Sequence, residues 1–219
     1  MFILHGETVV VLVLVKIFQT LNRSTIKPPS GEGGRPTISL LVSERYWGDW
    51  PALPQLIAMP VGSLGHVYGR FMTSQGLSQR PASQLPNAMG ADDAFLQMRI
   101  RHTHDVRHVI AGLPMTLAGE ASANGLTTEQ LRWPGSALLI ATDLIQRVSD
   151  ADADGEGAVD VGLAFAYGLN LGAKAQPLLA QRWEQGWQTP LNHWRVRLGI
   201  RSLLHASPFP LLPGEALRE

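Results

Sequence analysis

Three of the chain's seven histidines lie between His102 and His108, near the start of a stretch that ends at Glu120. His104 and His108 are four residues apart, so on a helix their imidazoles lie on one face, one turn apart. A helical pitch of about 5.4 Å lets both rings reach one ion, which is why this spacing recurs in metal sites. Asp105 borders the same face, whereas His102 is predicted to point to a different side. The spacing therefore indicates a group of two imidazoles and a carboxylate.

Glu120 is a fourth candidate ligand, on the far side of a predicted turn. Gly112 and Pro114 interrupt the helical pattern and predict a reversal between two antiparallel helices. With the turn centred near Pro114, His108 precedes the centre and Glu120 follows it by the same number of residues, so the two lie at about the same level. Two histidines with two carboxylates suit Zn or Fe(II) best, and Mn or Mg less well. The spacing alone leaves a second interpretation open, a solvated helix face that carries histidines.

An acidic stretch between Asp150 and Val161 offers a weaker metal motif. Asp150, Asp152 and Asp154 stand where the loop of a calcium-binding EF-hand has its ligands. Val161, however, stands where that loop needs a bidentate glutamate. We therefore predict a solvated acidic loop.

The elements that must position these residues are predicted to be helices. Ser63 can cap a helix that continues through Met72 with apolar residues at helical spacing. The longest periodic segment runs from Ala91 to Leu113, with aspartates in its first turn, where they complement the helix dipole. A second helix is predicted from near Met115, with an interruption at Asn124 and Gly125.

Further along the chain, a Gly- and Ala-rich helix and one or two helices rich in Trp and Arg are predicted. Thr37–Val42 is the one fair strand candidate. We therefore predict an all-α fold, with a single multi-helix domain and a helical hairpin that carries the metal motif.

Three tryptophans near the C-terminus, Trp183, Trp187 and Trp194, occur among four arginines. Trp183 and Trp187 are predicted to share a helical face and to anchor the core. An amphipathic surface for a membrane or a partner is the alternative. The arginines could also meet the acidic head of a lipid-like ligand.

Composition limits the functional classes. The chain has 219 residues, no cysteine and a formal net charge of zero. The lack of a basic excess argues against nucleic-acid binding, and any metal must be held by His, Asp or Glu. Only 16% of the residues are charged, which favours an apolar groove or a position near a membrane surface.

We divide the chain into three parts. Residues 1–21 form a predicted apolar helix, which is too short to span a bilayer and either packs in the core or lies on a partner or a bilayer surface. Residues 22–36 are rich in Pro, Gly and Ser and are predicted to be a flexible linker. Residues 37–219 form the helical domain. Apolar and aromatic helices at both ends favour a homo-oligomer.

Three blocks of the chain resemble the ubiquinone biosynthesis family Coq4. The first block, Met59–Leu77, is similar to a Pro-x-Gly-Ser-Leu-Gly segment that leads into an aromatic helix. The second block, His104–Glu120, has the pattern His-Asp-x-x-His, eleven residues, then Glu. The third block, Arg182–Ile200, is similar to the family's Arg-Trp-Glu … Leu-Gly-Ile segment. The resemblance extends from about Arg35 to Ile200.

The resemblance implies an all-α protein that acts on polyprenylated benzoquinone precursors at a membrane surface. Carried over by position, the metal ligands are His104, Asp105, His108 and Glu120. The metal would support removal of the ring carboxylate with oxygenation at that carbon, and an apolar tunnel would hold the prenyl tail. The N-terminal region departs from the family, where it is longer and polar, and this leaves the substrate open.

Three hypotheses follow. The first is a metal-dependent oxidative decarboxylase or lyase of quinone biosynthesis, expected in the cytoplasm and able to lie at a membrane. The second is a non-catalytic carrier of isoprenoid lipids, or a scaffold for a biosynthetic complex, with a structural metal or none. The third is an unrelated helical protein with solvated histidines.

Overall fold

The computed structural model describes residues 38–79, 91–131, 140–142 and 159–210. The helices within these ranges are α1 (Ile38–Glu44), α2 (Leu53–Ile57), α3 (Leu64–Ser74), α4 (Ala91–His102), α5 (His104–Ala111), α6 (Leu117–Leu131), α7 (Val161–Lys174) and α8 (Leu191–Arg197), with short 3-10 helices at Trp183–Gln185 and Leu203–Ala206. These ranges contain no β-strand, so the all-α prediction is confirmed. The predicted N-terminal helix and linker lie outside them, as do Asp150, Asp152 and Asp154 of the predicted acidic loop, whereas Val161 begins α7.

The predicted strand at Thr37–Val42 is wrong, because Ile38–Glu44 is helix α1. Its two buried side chains, Ile38 and Leu41, are three residues apart, which is helical and not strand spacing. Ile38 packs in a small cluster that includes Ile100 of α4. The β-branched residues of this segment favour a strand, but the burial of one helix face outweighs that preference.

The segment predicted as one helix from Ala91 to Leu113 is two helices, separated at Thr103. In an uninterrupted helix the carbonyl of Ile100 would accept from the amide of His104. Here that carbonyl accepts a hydrogen bond of 2.9 Å from the Arg107 guanidinium. The two candidate histidines therefore both lie on a separate short helix, α5.

The predicted reversal after α5 is confirmed. Gly112 follows the last residue of α5 with a φ of 66°, a left-handed conformation that favours glycine. The predicted interruption at Asn124 and Gly125 is wrong, because α6 continues from Leu117 to Leu131. Gly125 is instead a contact point, where a Cβ would lie 2.6 Å from the Phe165 carbonyl oxygen of α7.

Helices α6 and α7 pack side by side in the same direction. Near the start of both, the Ser122 hydroxyl donates to the Ala164 carbonyl over 2.6 Å. Near the end of both, the side-chain amide nitrogen of Gln130 donates to the Gly172 carbonyl over 3.5 Å. Between them, a Cβ on Gly168 would lie 2.1 Å from the Ser122 carbonyl oxygen. Glycines on this seam therefore allow the two backbones to approach closely.

The first and third blocks pair through their backbones. Ser63 and Pro190 form an isolated antiparallel bridge, and the Leu64 amide donates to the Thr189 carbonyl over 2.9 Å. The Ser63 hydroxyl accepts from the His66 amide over 3.2 Å, which confirms the predicted helix cap. The start of α3 is thus tied to the start of α8.

The tryptophans of the third block are buried, as predicted for core anchors. Trp183, Trp187 and Trp194 are all less than 5% exposed. The predicted common helical face of Trp183 and Trp187 is wrong, because the 3-10 helix ends at Gln185. Gly186 follows it because a Cβ there would lie 2.4 Å from the Trp194 ring, whose indole N–H donates to the Gly186 carbonyl.

Candidate metal centre

Helix α5 presents both candidate histidines on one face, as their spacing predicts. The Nε2 atoms of His104 and His108 are 3.1 Å apart, and the ring centroids are 4.7 Å apart. The His108 side chain is fully buried and that of His104 is 19% exposed. A site formed here is therefore closed on the His108 side and reachable from the His104 side.

The turn after α5 brings Glu120 to the histidines. Its carboxylate oxygens lie 3.2 Å from His104 Nε2 and 3.5 Å from His108 Nε2. The predicted convergence of these three residues is confirmed as geometry. That they hold a metal stays a prediction.

Gly119 makes this approach possible and was missed by sequence reasoning. A Cβ on Gly119 would lie 1.9 Å from the Pro114 carbonyl oxygen, so the first turn of α6 closes directly onto the preceding turn. The Gly119 amide also bonds to the Thr116 hydroxyl over 3.2 Å. The available signal was a glycine in the first turn of a helix, directly before the candidate ligand.

The hydrogen bonds of His108 identify its tautomer. Its Nδ1 lies 3.2 Å from the carbonyl oxygen of Leu113, which can only accept, so Nδ1 carries the proton. The neutral ring then presents a lone pair at Nε2 to His104 and Glu120. A backbone carbonyl behind Nδ1 is the arrangement that orients metal-binding histidines.

Arg107 fixes the other ring. Its Nη2 lies 3.5 Å from His104 Nδ1, and a guanidinium can only donate, so the proton of neutral His104 is on Nε2. That one proton can satisfy His108 or Glu120, but not both. The contact between His108 Nε2 and the Glu120 carboxylate then joins two acceptors. A cation bound by all three groups would resolve this contact, and it would require the His104 proton to move from Nε2 to Nδ1, on the side of Arg107.

The protonation states suit a metal. Burial lowers the pKa of His104 below its usual value, and this outweighs the neighbouring carboxylate. Burial by itself raises the pKa of Glu120, but its side-chain contacts with the imidazoles of His104 and His108 more than offset it and hold the pKa well below its usual range. At neutral pH the group therefore presents an ionised Glu120 beside an uncharged His104 imidazole.

The donor spacing also fits. One ligand atom from each of His104, His108 and Glu120 can be chosen so that all lie within 4.8 Å of one another. Ligands about 2.0–2.1 Å from a tetrahedral zinc ion lie roughly 3.3 Å apart, close to the contacts of 3.1, 3.2 and 3.5 Å found here. Three protein ligands are the number that catalytic zinc sites use, with one position open.

The structure does not bring Asp105 into this group. The carboxylate is buried, and its Oδ1 has no hydrogen-bond partner. Its charge acts on the buried guanidinium of Arg107, whose pKa burial lowers to about 10. The role of Asp105 as a ligand stays a prediction. His102 is likewise outside the group, with its ring packed against Trp47 and Trp50 at centroid distances of 4.8 and 3.9 Å.

Arg195 holds the C-terminal end of α5 and was also missed. Its Nε donates to the Ile110 carbonyl over 3.0 Å and its Nη2 to the Val109 carbonyl over 2.8 Å. These are carbonyls that a helix end leaves without intrahelical partners. The guanidinium therefore faces the candidate metal helix, and not the lipid head that the sequence suggested for this group of arginines.

Comparison with known proteins identifies the family. Residues 49–203 match the model of the coenzyme Q (ubiquinone) biosynthesis protein Coq4. The chain belongs to the Coq4 family. The ubiquinone biosynthesis protein COQ4, mitochondrial, of Clavispora lusitaniae is 30% identical over 152 residues, which are 68% of this chain and 45% of that protein. The COQ4 homolog of Rattus norvegicus, also named as mitochondrial, is 27% identical over 176 residues, 76% of this chain and 58% of that protein.

The fold of a Coq4 protein is also found among solved structures. A crystal structure from Nostoc punctiforme PCC 73102, described as that of a "putative ubiquinone biosynthesis protein", has a TM-score of 0.61 and 24% identity, and the match covers 86% of this chain and 82% of that one. The chain spans about half the length of the first curated relatives it matches. The predicted family is thus confirmed.

Membrane crossing was tested on the described residues. None of their helices is both long and apolar enough to span a bilayer.

Proposed function

We propose that this Coq4 protein binds a divalent metal through His104, His108 and Glu120 and acts on a polyprenylated benzoquinone precursor. The observation that carries the proposal is the convergence of two imidazole Nε2 atoms and one carboxylate within 3.1–3.5 Å. Nitrogen and carboxylate donors favour Zn or Fe(II), with Mn and Mg as weaker candidates. The proposed reaction is an oxidative decarboxylation with dioxygen as the oxidant: the bond from the ring carbon to the carboxylate breaks and CO2 leaves, one oxygen atom of O2 becomes the ring hydroxyl, and the other leaves as water with two electrons from an external reductant.

The residues of the chain prepare this site. The Leu113 carbonyl keeps the proton of His108 on Nδ1, so that Nε2 is available as a ligand. The ionised Glu120 supplies the negative charge that a divalent cation requires. When bound, the metal would supply a Lewis acid or a redox centre for the head group.

The main alternative is a carrier of isoprenoid lipids or a scaffold for a biosynthetic complex. Both functions involve a polyprenyl lipid, a peripheral position at a membrane and a homo-oligomer, and these stay predictions. The relatives are named as mitochondrial proteins, and a cytoplasmic location for this chain stays a prediction.

Metal content tests the ligand set. We expect the wild-type protein, purified without added metal, to contain close to one equivalent of one transition metal by elemental analysis. His108→Ala should lose most of it, because the substitution removes a fully buried ligand. His193→Ala, a substitution of an exposed histidine on α8, should keep it. Substoichiometric metal in the wild type that is unchanged in His108→Ala would contradict the proposal.

Turnover separates the enzyme from the carrier. The metal-loaded protein is incubated in air with a prenylated, carboxylated benzoquinone precursor and a chemical reductant, and the products are followed by mass spectrometry. The enzyme proposal predicts loss of the ring carboxylate, which His108→Ala abolishes. Native mass spectrometry that shows a co-purifying isoprenoid, without any turnover, would identify the carrier instead.

A further inference from the structure

A cavity of about 540 Å³ lies between the segment that follows α7 and helix α8. It shares no residue with the candidate metal centre. Its described wall consists of Gln176, Pro177, Gln181, Arg182, Gln185, Gly186, Thr189, Trp194, Arg197 and Leu198. The volume is in the range of about 300–1,000 Å³ that small-molecule sites occupy.

The polar groups of this wall are suited to an anion. They comprise two guanidinium groups, three primary amides and one hydroxyl, and the described wall includes no carboxylate. All six can donate hydrogen bonds, and the amides and the hydroxyl can also accept them. An anionic group is therefore the ligand chemistry that this wall favours.

The two arginines differ in how far their charge is already balanced. Arg182 forms an ion pair with Glu44 and lies over the Tyr46 ring, 4.5 Å from its centroid. Arg197 lies over the Trp194 ring at 3.9 Å and donates a long bond of 3.4 Å to the Gln181 side-chain oxygen. No described carboxylate pairs with Arg197.

The stacking of Arg197 prepares it for recognition. An arginine held flat on an aromatic ring presents the N–H groups of its edge, which match the two oxygens of a carboxylate or phosphate. The stacking also reduces the side-chain entropy that binding would otherwise cost. Beside it, Trp194, Pro177 and Leu198 give the cavity an apolar part.

We propose that this cavity binds a small organic anion, with its carboxylate or phosphate group at Arg197 and its apolar body against Trp194. This is a second site, and it does not depend on a metal at the histidines. It also gives a role to Arg197 of the third block, which the metal centre leaves unused.

The indole of Trp194 is a reporter for the test. Its N–H donates to the Gly186 carbonyl over 3.1 Å, and both residues line the cavity. The full-length protein, labelled with ¹⁵N, is titrated with sodium benzoate and separately with inorganic phosphate. Sodium chloride at matched ionic strength is the control for screening. The Trp194 resonance is assigned from a Trp194→Phe sample.

We expect a saturable shift of the Trp194 indole signal with at least one of the two probes. Arg197→Gln should weaken that binding by about tenfold or more, because it removes a charged hydrogen-bond donor. Arg197→Lys keeps the charge but loses the paired N–H donors of the guanidinium, and should weaken binding by several-fold. Arg70→Gln, the same charge change at an exposed position on α3, should leave it unchanged. Saturation with benzoate alone identifies a carboxylate ligand, and saturation with phosphate alone a phosphate ligand.

Three outcomes would overturn the proposal. They are the lack of saturation with both probes, equal affinities in the wild type and both Arg197 variants, and an equal loss in Arg70→Gln. The amide spectrum of each variant shows whether it is folded. If Arg197→Gln does not fold, the comparison of affinities between the wild type and Arg197→Lys is the test.

Discussion

Arg99 and Glu184 form an ion pair whose side chains are 0% and 1% exposed. The Glu184 carboxylate also accepts from the Trp50 indole over 3.0 Å, and Arg99 donates to the Gln181 carbonyl over 2.8 Å. Breaking a buried pair leaves an uncompensated charge in a low dielectric, which costs about 3–5 kcal/mol. This pair ties α4 to the third block.

Glu184→Gln therefore should lower the free energy of unfolding by about 3–5 kcal/mol, measured by urea denaturation. The matched control is Glu44→Gln, the same substitution in the pair with Arg182, whose side chains are 33% and 40% exposed. An exposed pair contributes about 0–1 kcal/mol, so the control should change little. Equal effects of both substitutions would contradict this account.

At the candidate metal centre, residue spacing predicted the group but not what supports it. His104, His108 and Glu120 follow from helical periodicity and one turn, which are local properties. The Leu113 carbonyl, Arg107 and Arg195 were missed because their roles depend on side chains that contact backbone groups in three dimensions. Asp105 was included because helical spacing gives a side chain's direction only to within a broad sector.

At the scale of elements, the position of Glu120 depends on the close contact between α6 and the turn before it. Gly119→Ala would place a Cβ 1.9 Å from the Pro114 carbonyl oxygen, and backbone cannot move aside as a flexible side chain does. We expect metal affinity to fall by at least tenfold, measured by titration with Zn²⁺. Gly162→Ala, in the first turn of α7, should leave it unchanged. Equal zinc affinity in the wild type and Gly119→Ala would argue against this role.

The seam between α6 and α7 makes a separate prediction. Gly168→Ala would bring a Cβ within 2.1 Å of the Ser122 carbonyl oxygen, so the helices must separate. We expect a loss of about 1–3 kcal/mol of stability by chemical denaturation, the usual cost of overpacking. Gly162→Ala is again the control, and should change stability by less than about 1 kcal/mol, because alanine favours helix. A stabilised Gly168→Ala protein would show that the seam is looser than described.

Helix boundaries were the least predictable feature of the elements. The sequence pattern showed where apolar faces lie, and α3, α7 and the reversal at Gly112 followed from it. The break at Thr103 did not, because it depends on Arg107 taking the Ile100 carbonyl. Gly125 was predicted to interrupt the helix because its contact with α7, which explains the glycine, is with residues distant in sequence. Both errors come from long-range contacts that no local pattern contains.

For the whole molecule, the three blocks of family resemblance meet around α8. The start of α8 pairs with the first block through Ser63 and Pro190, and Arg195 on α8 donates to the end of α5 in the second block. Substitutions in the third block are therefore expected to act on helix α5 through packing. The order of the blocks was visible in the sequence, but their meeting point was not.

A bound metal should stabilise the whole fold, because the ligands converge only in the native state. At a metal concentration 100 times the Kd, the gain is about 2.7 kcal/mol. For a chain of this size, that corresponds to a rise in Tm of roughly 5–10 °C. Removal of the metal with a chelator should therefore lower the Tm of the wild type by the same amount, measured by differential scanning calorimetry. The Tm of His108→Ala should not change. The same Tm with and without chelator in the wild type would contradict it.

The parallel arrangement of α6 and α7 has a consequence for the order of assembly. Two antiparallel helices can pair through a short turn, but parallel neighbours must wait until the chain has travelled back along about 22 Å of α6. The end of α6 and the start of α7 are separated in sequence by residues 132–160, so the seam forms from contacts that are distant in sequence. To form such contacts the chain must first lose the conformational entropy of the intervening loop, and only then does packing stabilise it. This slows folding. We therefore expect the pairing of α6 and α7 to be a late, slow step in folding, after the local turn that joins α5 to α6 has closed.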